Sequence, residues 1–177
     1  GFQIEENTFL KIKKLRSKIN QVAPERIFNE LNLLLSSKKA SSSMLSMHNS
    51  GLLKCVLPNL YKNQELLPSL EVLDHIENLL SDPKKTGVKP LTKINKTLSS
   101  KPGLIKLGSI LYPLGKTSPV RTMAQNREWG RKNKIRTLLT GLRASNAEIE
   151  FIIAMTSCWR SASSSKLEFA GSRPNQF

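Results

Sequence analysis

The sequence predicts an all-α chain, and three observations carry that expectation. Apolar residues recur at helical spacing in most segments, proline or serine stands where helices would open, and no segment shows the strict alternation of a half-buried strand. From Asn7 to about Asn20, Phe9, Ile12, Leu15 and Ile19 form one face and Lys11, Lys14 and Lys18 another, with Asn7 as the expected N-cap behind Glu5 and Glu6. Pro24 opens a second helix that should bury Ile27, Leu31 and Leu34, and the serine and lysine cluster Ser36 to Ser43 should end it. A short helix over Ser43 to Asn49 is stopped at Gly51, and LLKCVLPNL follows as an apolar turn. Pro68 opens a fourth helix with Leu70, Leu73, Ile76 and Leu80 as its stripe, closed by Asp82 and Pro83. Helices are expected again near Leu91 to Leu98 and from Pro102 to Leu111, with Gly115 to Pro119 as a loop. The last two helices run over about Met123 to Leu142, with Ile135, Leu138 and Leu142 inward, and from a capping box at Ser145 and Glu148. The serine-rich segment Ser161 to Phe177 is expected to be a flexible tail.

A chain of 177 residues with 38% hydrophobic residues can build one medium domain or two small ones. The expected division is 1–80, 81–160 and the tail 161–177. Cys55 and Cys158 make no disulfide framework, which points to a reducing, cytoplasmic compartment. The opening GFQIEENTFL lacks the pattern of a signal peptide, and no apolar run approaches the roughly 20 residues a bilayer requires.

The net charge is +15, and its placement is uneven. Pro83 to Arg143 carries 15 basic residues against one acid, Glu128, hence +14, and the remainder is near neutral. Such a field attracts a polyanion. A solvated face kept for solubility would not need 44 consecutive residues without an acid, Pro83 to Asn126. The cations are spread over several helices and a loop, which disfavours one basic amphipathic helix lying on a membrane. A nucleic acid is therefore the expected polyanion, with Lys84, Lys85, Lys89, Lys93, Lys96, Arg127, Arg131, Lys132, Lys134 and Arg136 as the contact candidates. Aromatic residues make up only 6%, too few for a base-stacking platform, and Trp129, set among cations, is the one aromatic that merits testing, with a place in the core as its alternative.

Signs of catalysis are scarce. The chain has no GxGxxG, no phosphate loop, no HExxH and no CxxC. Gly115-Lys116-Thr117 ends like a phosphate loop, but the position five residues before Gly115 is Ile110. Cys55 has apolar flanks suited to a core, and His75 suits a surface role. The carboxylate pairs Glu71/Asp74 and Glu148/Glu150 have no third partner with which to gather two metals. Alone, the chain reads as a binding module, with no catalytic or metal-ligating residue assigned.

Three linked motifs then carry a resemblance. PERIFNELNLLL, GLLKCVLPNL and the opening GFQIEENTFLKIKKL stand in the order found in the RNA-binding neck and body of bacterial-type tRNA nucleotidyltransferases and poly(A) polymerases, over about Gly1 to Leu80. KPGLIKLGSILYPLGKTSP and LTGLRASNAEIEFI resemble the HD-type helical region that follows in many of these enzymes. Where that region holds metal ligands, this chain has Tyr112, Pro113, Pro68 and the run Gly130-Arg131-Lys132. The resemblance thus implies a degenerate HD-like region without phosphohydrolase activity, its scaffold kept as a surface for RNA. It also implies that the catalytic head, with its paired carboxylates, Mg2+ and nucleoside triphosphate, lies upstream of Gly1. The expected role is to position an RNA 3′ end, most of all that of tRNA, for nucleotide addition by that head. The alternative is a stand-alone all-α RNA-binding or adaptor protein.

Overall fold

The computed structural model describes residues 4–58, 60, 66–81, 100–112 and 124–156, the side chains of 66–68, 79–81 and 124–131 excepted. Every regular element among them is helical. The expected helix at Leu91 to Leu98, the loop Gly115 to Pro119 and the tail lie outside the described residues.

Helix α1 spans Glu6–Leu15, and its cap is Glu5 rather than the expected Asn7. The Glu5 carboxylate accepts from the Asn7 N–H at 3.2 Å, the Thr8 N–H at 2.9 Å and the Thr8 hydroxyl at 2.8 Å. The Thr8 hydroxyl, followed by the Thr8 N–H, holds this carboxyl below the ordinary 4.5 of a glutamate. A carboxylate with a depressed pKa contributes stability that is present above its unfolded value and lost as pH falls through its folded value. Acidification below pH 4.5 should therefore fray the first turn of α1. An NMR titration giving Glu5 a midpoint at or above 4.5 would contradict this cap.

The expected continuation of α1 to Asn20 becomes a 3-10 helix, Arg16–Gln21. Val22 is already extended, and the residue before Pro24 must avoid helical backbone, so the chain leaves through a tighter turn. Neither segment buries a residue completely; Phe9, Ile12 and Ile19 are half-buried and Leu15 is exposed.

Pro24 opens α2, Pro24–Ser36, as expected, but the buried face is Phe28, Leu31 and Leu35. Ile27 and Leu34 sit at the margin of the core. The helix carries apolar residues over so wide an arc that two faces have equal periodicity, and packing chooses between them. The serine cluster does not prevent α3, Ala40–Asn49, from beginning early. Ser43 and Ser46 donate to carbonyls four residues back, at 3.0 Å each, which spends their hydroxyls within the helix. Gly51 ends this segment in the left-handed region, φ 74°, and α4, Leu52–Val56, occupies part of what the sequence suggested was a turn.

Helix α5, Leu66–Ser81, starts two residues before Pro68 and buries Leu70 and Leu73, but the next buried position is Glu77 and Ile76 is only half-buried. Helix α6, Pro102–Leu111, matches its expected bounds and is buried on every side from Gly103 to Leu111. It packs against α2 and α5, while α3 packs against α5. Helix α7, Ala124–Gly141, buries Ile135 and Leu139, with Leu142 just beyond it and Leu138 only half-buried. The last described helix, α8, covers 146–156 and meets α6 where Gly108 faces Ile152 and Met155. One apolar cluster takes side chains from Phe28 to Ile153.

The α7–α8 corner is a Schellman turn in which Arg143 N–H bonds the Thr140 carbonyl at 2.9 Å and Ala144 N–H bonds the Leu139 carbonyl at 3.0 Å. Arg143 pays for this with φ 57°, where a side chain costs roughly 1 kcal/mol or more. Arg143→Gly should stabilise the chain by about 1 kcal/mol in urea denaturation. A loss of stability would show that the Arg143 side chain contributes more than its backbone costs. The capping box is formed as expected: Glu148 accepts from the Ser145 N–H at 2.8 Å, and Ser145 Oγ accepts from the Glu148 N–H at 3.4 Å.

Candidate nucleic-acid interface

Five of the sequence-derived RNA contacts, Lys84, Lys85, Lys89, Lys93 and Lys96, lie outside the described residues. Arg127 and Arg131 stand on α7 in the stretch whose side chains are not described, as does Trp129. Lys132 is half-buried, and Lys134 and Arg136 are exposed. Lys132 and Arg136 are four residues apart and share a helix face, whereas Lys134 points elsewhere. Arg136 Nη2 bonds Glu150 Oε1 on α8 at 2.6 Å, with both side chains about half exposed. A pair in that setting contributes at most about 1 kcal/mol and leaves the guanidinium accessible.

Lys106 belongs to the +14 segment by sequence but contributes nothing to its surface. Its side chain is 3% exposed, and its ammonium donates to Glu77 Oε1 at 2.8 Å and to the Ser37 carbonyl at 2.6 Å. The same Glu77 oxygen accepts from the Ala40 N–H at 2.7 Å, the first helical N–H of α3. Ser41 reaches Glu77 Oε2 at 3.3 Å and donates its hydroxyl to Asp74. Glu77 thus caps α3 from another helix, where its charge meets the positive end of the α3 dipole.

The other cationic surface is at the N-terminus. Lys11, Lys13, Lys14, Arg16 and Lys18 are all exposed, five cations within eight residues that contain no acid. Counting charge over the whole near-neutral remainder hides this ridge; a window of one or two helical turns reveals it. Two of its cations are held in place. Lys13 Nζ sits 4.9 Å from the centroid of the Phe9 ring, and Arg16 Nη1 donates to the Lys13 carbonyl at 3.3 Å. The acids Glu5 and Glu6 gather at the opposite end of α1, so the charge polarity of the segment follows its helix dipole.

Other features suit a polyanion less well. The open groove of about 710 Å³ between α2, α3, α4 and the 3-10 helix is lined by Ile19, Val22, Ile27, Leu34 and Val56, with Arg26 and Glu30 as its charged residues. Among the described residues no three His, Cys, Asp or Glu side chains gather to hold a metal ion. Cys55 is half-buried, and His75 is exposed. No described helix is long and apolar enough to cross a membrane.

Residues 1–63 match the family described as the probable RNA and SrmB-binding site of polymerase A. No curated protein matches the chain. The matched span contains the ridge Lys11 to Lys18, α2, α3 and α4, including the PERIFNELNLLL and GLLKCVLPNL motifs. Residues 1–63 therefore form a region similar to the RNA-binding region of poly(A) polymerase-type proteins.

Proposed function

We propose that this chain holds the 3′ region of an RNA, tRNA in particular, while a polymerase A-type head on its N-terminal side adds nucleotides. The observation that carries this reading is the coincidence of the exposed ridge Lys11 to Lys18 with the 1–63 match to an RNA-binding region. The ridge neutralises backbone phosphates and sets the register of the RNA, and carries no base identity itself. Lys84, Lys85, Lys89, Lys93, Lys96, Arg127, Arg131, Lys132, Lys134 and Arg136 extend the same contact, so that 1–80 and 81–160 act on one RNA. Duplex RNA would be recognised through its phosphates and shape, because side chains reach poorly into its deep major groove. Mg2+ and the nucleoside triphosphate would bind to the head, in the cytoplasm. The positions aligned with HD metal ligands, Pro68, Tyr112, Pro113 and Arg131, offer no histidine or carboxylate.

The test is a fluorescence titration of the chain with labelled tRNA over a range of salt. If the five ridge cations each meet a phosphate, log K falls against log salt with a slope of about −4 or steeper. A slope near zero, or no binding at low salt, removes the proposal.

A further inference from the structure

Arg16 and Gly51 meet across the fold. Arg16 is the first residue of the 3-10 helix, and Gly51 is the left-handed residue between α3 and α4. The 3-10 helix packs on α4. A Cβ at position 51 would stand 3.1 Å from Arg16 Cδ, 3.3 Å from Nε and 3.4 Å from Nη1, so the arginine side chain lies directly over the bare α-carbon. Its Nη1 also donates to the Lys13 carbonyl. The Lys13 carbonyl thus holds the guanidinium and the missing Cβ of Gly51 leaves room for the side chain, while Arg16 stays exposed.

A guanidinium has five N–H donors in a rigid fork, and among the described residues only the bond to Lys13 engages one of them. A planar, pre-positioned fork beside Lys13, Lys14 and Lys18 matches a phosphate diester, which takes two parallel N–H bonds from one arginine. Holding the side chain before binding lowers the entropy cost of ordering it on the RNA. We infer that Arg16 is a phosphate-contacting residue of the RNA surface and that Gly51 is its positioning residue, by leaving room for the side chain. This rests on the reading of 1–63 as RNA-binding. Gly51 then serves two ends: it supplies the positive φ of the turn and the seat for Arg16.

The experiment compares RNA affinity of the full 177-residue chain and its variants for a tRNA transcript and for an oligoadenylate. Arg16→Ala should weaken both about tenfold, as expected for losing a hydrogen bond to a charged group, and lower the salt slope by about 0.7 to 0.9. Arg16→Lys should keep the slope and lose part of the affinity. Lys38→Ala, which removes one charge from an exposed turn, is the matched control and should cost less. Gly51→Asn keeps a residue that tolerates left-handed backbone but fills the seat. It should weaken binding in the unmodified chain and add nothing to Arg16→Ala. Equal costs for Arg16→Ala and Lys38→Ala overturn the contact. An equal cost for Gly51→Asn in both backgrounds overturns the positioning role, since a defect in the turn alone would be indifferent to Arg16. If the unmodified chain binds neither RNA, the reading of the region falls together with this inference; binding that survives Arg16→Ala at full strength removes the inference alone.

Discussion

Lys106→Ala is expected to destabilise the chain by about 3 to 5 kcal/mol, because it strands the Glu77 carboxylate in the interior. Glu77 would keep the Ala40 N–H and the Ser41 hydroxyl but lose its only charged partner among the described residues, and the Ser37 carbonyl would lose its donor. At roughly 2 to 4 °C per kcal/mol for a chain of this size, the melting temperature should fall by at least about 6 °C. The double variant Lys106→Met with Glu77→Gln should recover most of that loss. Its amide oxygen can still cap α3, and a buried ion pair replaced as a unit is often neutral in cost. Far-UV circular dichroism in urea measures both. If the single and double variants lost the same amount, the pair would contribute through packing and not through charge.

Gly103→Ala is expected to cost about 3 kcal/mol, toward the upper end for an overpacked core. The new Cβ would stand 2.4 Å from the Asn32 backbone carbonyl, 2.2 Å from Asn32 Oδ1 and 2.6 Å from Ser36 Oγ. The two side chains can rotate away, but the carbonyl belongs to α2, so α2 and α6 must separate. Gly108→Ala on the same helix is the internal contrast. Its Cβ would meet Met155 at 3.7 Å and Ile152 at 3.9 Å, ordinary contacts, and alanine is the better helix former. That variant should be neutral or more stable by up to about 1 kcal/mol. Equal effects at the two positions would disprove the close approach of α2 and α6.

These residues also mark what the sequence could and could not reveal. Boundaries set by local chemistry were legible: Pro24 and Pro102 at helix starts, Gly51 after α3, and the Ser145–Glu148 box. Choices made by tertiary packing were not. Ile27 and Leu34 have the same spacing logic as Phe28, Leu31 and Leu35, and the helices packed on α2, α6 above all, decide which face is covered. The cap of α3 comes from Glu77, 37 residues beyond Ala40, where no local pattern can announce it. Lys106 looked like one more cation in a cationic run because its partner lies on another helix. For the cationic surface, counting over long windows picked out the segment 83–143 and passed over Lys11 to Lys18, whose charge is cancelled in the sum by distant acids such as Glu25, Glu30 and Glu71. The motifs of the first third were legible as an RNA-binding region, and 1–63 match one.

The central position of α6 has a consequence for how the chain is born. Leu111, its last residue, follows Ser36, the last of α2, by 75 positions. At about 5 to 20 residues per second, a ribosome takes roughly 4 to 15 s to cover that distance. Until α6 emerges, α2 with Phe28, Leu31 and Leu35, and later α5 with Leu70 and Leu73, lack one of the helices they pack against. The order of synthesis therefore opposes the order of closure: the region that matches an RNA-binding family is made before the helix that completes its packing, and stays exposed to aggregation until that helix arrives.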